Sequence, residues 1–329
     1  MIPLHLELLG QRIRVEGAED WVRDGVLAAA PLLARPGASG PPDLVYEFRA
    51  LSRSESLPSL ASYRREAVSA ASDFEFRRKG DERWLLVEGR SASRFVLDEG
   101  TVRAFVHPDH ARDPWIVGHR LFFLPLLEWM RFRGFYPLHG SCFLAGGRGV
   151  IVSGPSGSGK STATLAAIAA GCPFVADDTL FAFRRGGVVR VASFPEPIKV
   201  GRKSAAAFPE LRASLRLIGG KYVLPEESLP APGRVADAVP AVLLFPEVAD
   251  RDASLFEPLS GEEAMVRLLP QSVLPADRKR IESHMGALAE LVGQTSAYRL
   301  LFGRDFRDLP SAAAKLPAPG PRPPGEDGV

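Results

Sequence analysis

Alternation of apolar and polar positions dominates the first hundred residues. Runs of period two at residues 4–9, 12–16, 44–49, 74–78, 84–88, 94–97 and 102–106 predict short strands. Lys79-Gly80-Asp81 and Asp98-Glu99-Gly100 fall between such runs and read as hairpin turns. Residues 21–33 instead repeat apolar positions at about 3.6 and predict a helix, stopped by Arg35-Pro36-Gly37. Residues 1–110 are therefore expected to form a small α+β module.

The period lengthens again over residues 113–133. Asp113 is placed as an N-cap, Pro114 in the first turn and Gly134 past the end, while Pro125 is expected to kink or break this helix. Trp115, Phe122, Phe123, Leu127, Trp129 and Met130 read as its core face. Residues 142–145 and 150–152 predict two strands joined by Gly146-Gly147-Arg148-Gly149, and residues 160–170 an Ala-rich helix stopped by Gly171. Further strands are expected at 174–176, 180–183, 188–191, 239–245 and 298–302, with an amphipathic helix at 275–294. Pro and Gly dominate residues 317–329, which read as a disordered tail. This divides the chain into 1–110, an α/β domain over 111–310, and a tail over 311–329. No internal repeat is evident.

Composition narrows the function classes. With 46% hydrophobic and 24% charged residues in 329, the chain can bury one large core or two ordinary ones. A net charge of +2 gives no footprint of a nucleic-acid or membrane-surface binder, so neither partner is expected. The most apolar stretch, residues 121–130, contains Pro125 and Glu128 and falls short of the roughly 20 residues a membrane span needs. The first residues lack a basic segment followed by an apolar one, so a cytoplasmic location is expected. Cys142 and Cys172 have no metal-ligand spacing and read as reduced core thiols.

The chemistry concentrates after the strand at 150–152. Gly154-Pro155-Ser156-Gly157-Ser158-Gly159-Lys160-Ser161-Thr162 satisfies G-x-x-x-x-G-K-[ST], with an apolar strand before it and a helix after it. Such glycines let backbone N–H groups converge on phosphates, the helix N-terminus adds a positive dipole end, the lysine reaches β and γ oxygens, and the Ser161 hydroxyl is placed to ligate Mg²⁺. ATP, or GTP, with Mg²⁺ is the expected cofactor. The strand at 174–176 then delivers Asp177-Asp178 at its carboxyl end, where open α/β sheets put their ligand crevice. One carboxylate can orient or deprotonate an attacking hydroxyl and the other can hold Mg²⁺. His139, ahead of the strand at 142–145, is either structural or catalytic on sequence grounds.

Taken in order, Leu138-His139-Gly140-Ser141, the stretch from Gly149 to Thr162, Gly171, and Val175-Ala176-Asp177-Asp178 resemble the catalytic domain of the HPr serine kinase/phosphorylase family. The resemblance implies a P-loop core of the type shared with phosphoenolpyruvate carboxykinase. It also implies transfer of phosphate to a serine hydroxyl of a protein, with Lys160 and Ser161 serving phosphate and Mg²⁺, Asp177 as general base, Asp178 assisting with metal or substrate, and His139 close by. Hexameric members imply a homo-oligomer. Where the family carries Glu-x-Arg-Gly-x-Gly, this chain has Phe194-Pro195-Glu196-Pro197-Ile198-Lys199-Val200-Gly201. Glu196 is then either a second metal ligand or a surface charge, and Lys199 either a phosphate or substrate contact or solvated. That departure, and an N-terminal module unlike the family's, turn the expected acceptor from HPr toward a serine of another protein or of a modified-peptide precursor, docked by the N-terminal module. A small-molecule alcohol kinase and a nucleotide-sensing module without transfer are the alternatives.

Overall fold

In the computed structural model, which describes residues 3–17, 19–34, 40–66, 73–218, 221–231, 233–272 and 278–318, the alternating segments of the N-terminal third pair into one sheet. Its strands are β1 (Leu4–Leu8), β2 (Gln11–Glu16), β3 (Leu44–Ala50), β4 (Arg64–Glu66), β5 (Phe74–Lys79), β6 (Glu82–Val87), β7 (Ser91–Val96) and β8 (Thr101–Val106), ordered β1-β2-β3-β8-β7-β6-β5-β4. β3 runs parallel to β2 and β8, and the other pairs are antiparallel. Alternate residues such as Ile13, Val15, Leu44, Tyr46, Ala104 and Val106 are buried, as a sheet covered on one face requires. Among the described residues, those up to 133, with 278–280, form one compact unit; those from 134 to 272 and from 281 to 318 form a second.

Helices cover the buried face of the first sheet. α1 (Asp20–Ala29) stops short of the expected end because Pro31, which has no N–H, opens a separate 3₁₀ turn over Pro31–Leu33. The expected stop at residues 35–37 lies outside the described residues. Pro125 does not end the second helix. A π-helical run, Ile116–Phe123, leads into α2 (Leu124–Phe132), and the wider register ahead of Pro125 accommodates its missing donor. Trp115 departs from the expected core face: it is 51% exposed and lies across the His119 ring at 3.9 Å. α1 and the π run touch so closely that a Cβ on Gly118 would lie 2.2 Å from the Gly25 carbonyl oxygen. Tyr46 and Ser93 tie the sheet to this layer, their hydroxyls donating to the carbonyls of Phe122 and Leu121.

The second unit is a mixed α/β structure with several sheets. In chain order it contains β9 (Tyr136–His139), β10 (Ser141–Ala145), β11 (Arg148–Val152), α3 (Lys160–Ala169), β12 (Phe174–Ala176), β13 (Thr179–Arg185), β14 (Val188–Ser193) and β15 (Ile198–Val200). α4 (Arg202–Ala207), β16 (Arg216–Ile218), β17 (Lys221–Leu224), β18 (Asp237–Ala238), β19 (Pro240–Val248), β20 (Leu255–Leu259), α5 (Gly261–Leu268), α6 (Arg278–Gly293), β21 (Ser296–Phe302) and α7 (Leu309–Lys315) follow. The central sheet has the order β12-β10-β11-β19-β21-β20, with β11, β19 and β21 mutually parallel where they meet. Two smaller sheets, β18-β14-β13-β9 and β15-β17-β16, complete it.

Both faces of β11 and β19 are covered, which is why each reads as an unbroken apolar run rather than an alternating one. Val150, Val152, Val242 and Leu244 point into a core with α3, including Ala163, Ala167 and Ile168. Ile151, Leu243 and Phe245 point the other way, onto Leu180, Val191, Leu268, Leu288 and Leu291. Cys142 is buried and Cys172 partly so, and both are free thiols, with burial pushing Cys142 up to about 12. No helix among the described residues is long and apolar enough to cross a membrane. The tail expected over 311–329 starts later than that, because residues 311–315 belong to α7 and Ala313 packs into the core beside α3; residues 319–329 lie outside the described residues.

Candidate functional site

β11 and β19 bring their carboxyl ends to one edge of the central sheet, and the glycine-rich loop leaves β11 there. Ser153 anchors its start, its N–H on the Leu244 carbonyl and its hydroxyl on the His139 carbonyl, each at 2.9 Å. Pro155, Ser156 and Gly157 are exposed, whereas Gly154, Ser158 and Lys160 are buried. Gly159 caps α3 at φ 114°, a conformation that disfavours any side chain, and a Cβ there would lie 2.8 Å from the Phe302 ring. Gly159→Ala is therefore expected to destabilise the protein by roughly 1–3 kcal/mol and to distort the loop. A thermal melt indistinguishable from the parent's would contradict that.

Lys160, the first residue of α3, folds back over the loop. Its ammonium donates to the carbonyls of Gly154 at 2.7 Å and Pro155 at 3.0 Å, so the cation sits inside the curve of the loop. Burial lowers its pKa from the ordinary lysine value, against the pull of Asp178 and Asp177. No acidic residue occupies the first turn of α3, so its N–H groups and dipole face the loop without an internal counter-charge. Ser158 Oγ is buried and has no hydrogen-bond partner among the described residues. Ser161 and Thr162 are half-buried, and Thr162 Oγ1 lies 3.1 Å from Ser204 Oγ of α4.

β12 pairs antiparallel with β10, placing Cys142 opposite Ala176, and Asp177 emerges just beyond. Asp177 is partly buried, and its Oδ1 has no hydrogen-bond partner among the described residues. Burial pushes its pKa up to about 7; the Thr164 hydroxyl lowers it, Asp178 and Glu196 raise it, and Lys160 lowers it. Thr164 stands one turn along α3 from Lys160, its hydroxyl donating to the Lys160 carbonyl at 3.3 Å. The loop and the strand end thus share one helix.

His139 joins this group through strand pairing. Thr179 of β13 lies opposite His139 of β9, and the Gly140 N–H donates to the Asp178 carbonyl at 2.9 Å. His139 Nδ1 comes within 3.3 Å of Asp178 Oδ1. Burial lowers the imidazole pKa, outweighing Asp178, and Lys160 lowers it further. A neutral ring facing a carboxylate carries its proton on Nδ1 and leaves Nε2 as an acceptor. Asp178 itself is 58% exposed.

Glu196 reaches the same edge from the segment after β14. Its carboxylate accepts from Thr179 Oγ1 at 3.3 Å and from Lys199 Nζ at 3.1 Å, and burial raises its pKa, with Lys199 opposing. Lys199 is committed to that ion pair, and Asp178 is the other carboxylate that acts on Glu196. Among the described residues, no group of three His, Cys, Asp or Glu side chains converges closely enough to hold a metal by itself. Mg²⁺ at phosphate sites commonly takes only one or two protein ligands beside phosphate and water. The structure therefore brings Lys160, Asp177, Asp178, His139 and Glu196 into one neighbourhood, with the loop beside them.

Two residues here carried no sequence expectation. Thr164 could have been found by helical spacing, at i+4 from Lys160. Arg234, whose guanidinium donates to the carbonyls of Val175 and Glu196, had no local signal.

No family model and no curated protein matches the chain. Among solved structures, it is similar to the Hpr(Ser) kinase/phosphatase from Coxiella burnetii, at 14% identity and a TM-score of 0.30, over 55% of this chain and 87% of that one. The relationship is a distant one, and no residue role passes across it.

Proposed function

We propose that this protein is an ATP- and Mg²⁺-dependent kinase that transfers a phosphoryl group to a hydroxyl, the acceptor being a serine of a protein or peptide. The observation that carries the reading is the Asp177 carboxylate. It follows a strand beside a glycine-rich loop, within electrostatic reach of that loop's Lys160, and its Oδ1 has no hydrogen-bond partner among the described residues. An orphaned acceptor at that place is suited to a substrate hydroxyl.

The residues present fit a nucleotide. Lys160 occupies the curve of the loop and hydrogen-bonds to two of its carbonyls, Ser158 Oγ has no hydrogen-bond partner among the described residues, and the first turn of α3 contains no acidic residue. Gly154 to Thr162 would hold the phosphates, and Ser161 with Asp178 and Glu196 would hold Mg²⁺. Bound ATP supplies the γ-phosphoryl group, and Mg²⁺ neutralises charge on its oxygens. Asp177 Oδ1 would take the proton of the acceptor hydroxyl as that oxygen bonds to the γ-phosphorus and the bond from phosphorus to the β-phosphate oxygen breaks, with ADP as the leaving group. Lys160 steadies charge on the phosphate oxygens. His139, through Nδ1, holds Asp178 in place.

The decisive experiment is incubation with γ-labelled ATP and Mg²⁺ in an extract of the source organism, followed by mass spectrometry of what becomes labelled. A labelled seryl peptide supports the proposal, a labelled metabolite replaces the acceptor, and nucleotide binding without any transfer removes the kinase. Because Asp177 acts only when ionised and burial holds its pKa near 7, the transfer rate is expected to rise with pH through about 7 and to level above it. A rate that is flat between pH 5.5 and 8.5 would remove Asp177 as the base.

A further inference from the structure

We infer that Arg234 is the positioning residue of this site, holding the segments that deliver Asp177 and Glu196 in one fixed relation. The inference rests on the kinase reading but is drawn from a different part of the chain.

The guanidinium of Arg234 is committed on every side. Its Nη1 donates to the Val175 carbonyl and to Ser193 Oγ, each at 3.1 Å. Its Nη2 donates to the Glu196 carbonyl at 2.8 Å and to Glu226 Oε2 at 2.9 Å, and its Nε donates to Glu226 Oε1 at 3.0 Å. The plane lies over the Phe174 ring, 4.7 Å from its centre. Main-chain bonds add to this: Phe174 N–H donates to the Gly233 carbonyl, and Val235 N–H to the Phe174 carbonyl.

The partners explain the role. Val175 lies two residues before Asp177, Ser193 ends β14, and Glu196 follows three residues later. One rigid fork thus spans both chain segments that converge on the loop. Arg234 spends its donors on backbone and protein side chains, and Glu226 balances its charge. It therefore acts through geometry. A planar fork of five donors can satisfy these acceptors together, whereas a lysine ammonium offers three donors from one point. Misplacement of a reacting group by about 1 Å costs on the order of 10²-fold in rate.

The test uses the full chain as Arg234→Lys and Arg234→Ala, with Arg190→Lys as a control at an arginine whose partner is Asp237. ATP affinity is measured by calorimetry, transfer from γ-labelled ATP to a mixture of serine-containing peptides, and amide hydrogen exchange across the second unit. For Arg234→Lys we expect KM for ATP within about threefold of the parent, kcat lower by about 10²-fold, and faster exchange confined to residues 174–179 and 193–197. Added guanidinium should restore kcat of Arg234→Ala by about tenfold and leave Arg190→Lys unaffected. Unchanged exchange in those two segments overturns the inference. So does faster exchange throughout the unit, or loss of a cooperative melt in both variants, since either makes Arg234 a general scaffold residue. If the parent transfers no phosphate at all, the kinase reading fails, and the exchange pattern still decides the role of Arg234.

Discussion

Asp177→Asn is expected to bind ATP within a few-fold of the parent, to lose about 10² or more in transfer rate, and to be more stable than the parent at pH 8. On the proposed reading the first two effects separate because Lys160 and the loop would hold the nucleotide without Asp177, while the variant has no carboxylate to take a proton. The third follows from burial. An Asp whose folded-state pKa is raised from 3.8 to about 7 binds its proton more tightly folded than unfolded. Stability is then lost as pH rises from about 4 to about 7, and the penalty is complete above that. Asparagine carries no such penalty, so the gap between variant and parent should be near zero at pH 4, widen to pH 7 and then stay level. Its size should be on the order of 1–3 kcal/mol, discounted from the full shift because the carboxylate keeps some contact with water. Melts at pH 4, 6 and 8, with calorimetric ATP titrations and initial rates, check all three. A folded Asp177→Asn enzyme with near-parent rates returns Asp177 to the role of a strand-end residue.

The loop, α3 and the strand before them were legible because their signals are local: glycines at fixed offsets, a lysine at the first helical position, and an apolar run buried on both faces. What escaped was mainly edge structure. β9 reads Tyr136-Pro137-Leu138-His139, and a proline demotes a strand unless it lies at an edge, which is where β9 lies in its sheet. β4 and β16 are also edge strands, three residues long, with charged residues where alternation would have marked them. α5 was missed although Ser260 and Glu263 form a capping box that the sequence displays as S-x-x-E.

The site was legible in its residue types but not in its assembly. Asp177-Asp178 could be placed near the loop by strand order, because a strand end after a P-loop helix returns to the same sheet edge. That His139 faces Asp178 depends on β9 pairing with β13, a contact between residues far apart in sequence. Arg234 reaches Val175 and Ser193 across 59 and 41 residues. No periodicity encodes such a clamp, since two of its acceptors are the backbone carbonyls of Val175 and Glu196, which carry no side-chain signature, and Ser193 lies far from it in sequence. Lys199, open to a substrate role on sequence grounds, pairs with Glu196 three residues earlier.

Lys160→Met should abolish measurable transfer, lowering it by about 10²–10³-fold, and weaken ATP binding by about tenfold or more. Methionine keeps an apolar stem of similar length, so the loss isolates the charge rather than the packing. Without nucleotide, the ammonium bonds to two loop carbonyls, Gly154 and Pro155, which lose their donor in the variant. It also lowers the pKa of Asp177, so its removal leaves that carboxylate with Asp178 and Glu196 and no opposing cation among its main influences. The resulting instability has a direction in pH: it should be small near pH 4, where Asp177 is protonated in both proteins, and grow as pH rises through about 7. Adding Asp177→Asn to Lys160→Met should then recover stability at pH 8 beyond what additivity of the single changes gives, by on the order of 1 kcal/mol. Four proteins, melted at pH 4 and pH 8, complete that cycle, and calorimetry on the same samples reads ATP affinity. Strict additivity at pH 8 would uncouple Lys160 from Asp177, and ATP affinity equal to the parent's in a folded Lys160→Met protein would remove nucleotide from the loop altogether.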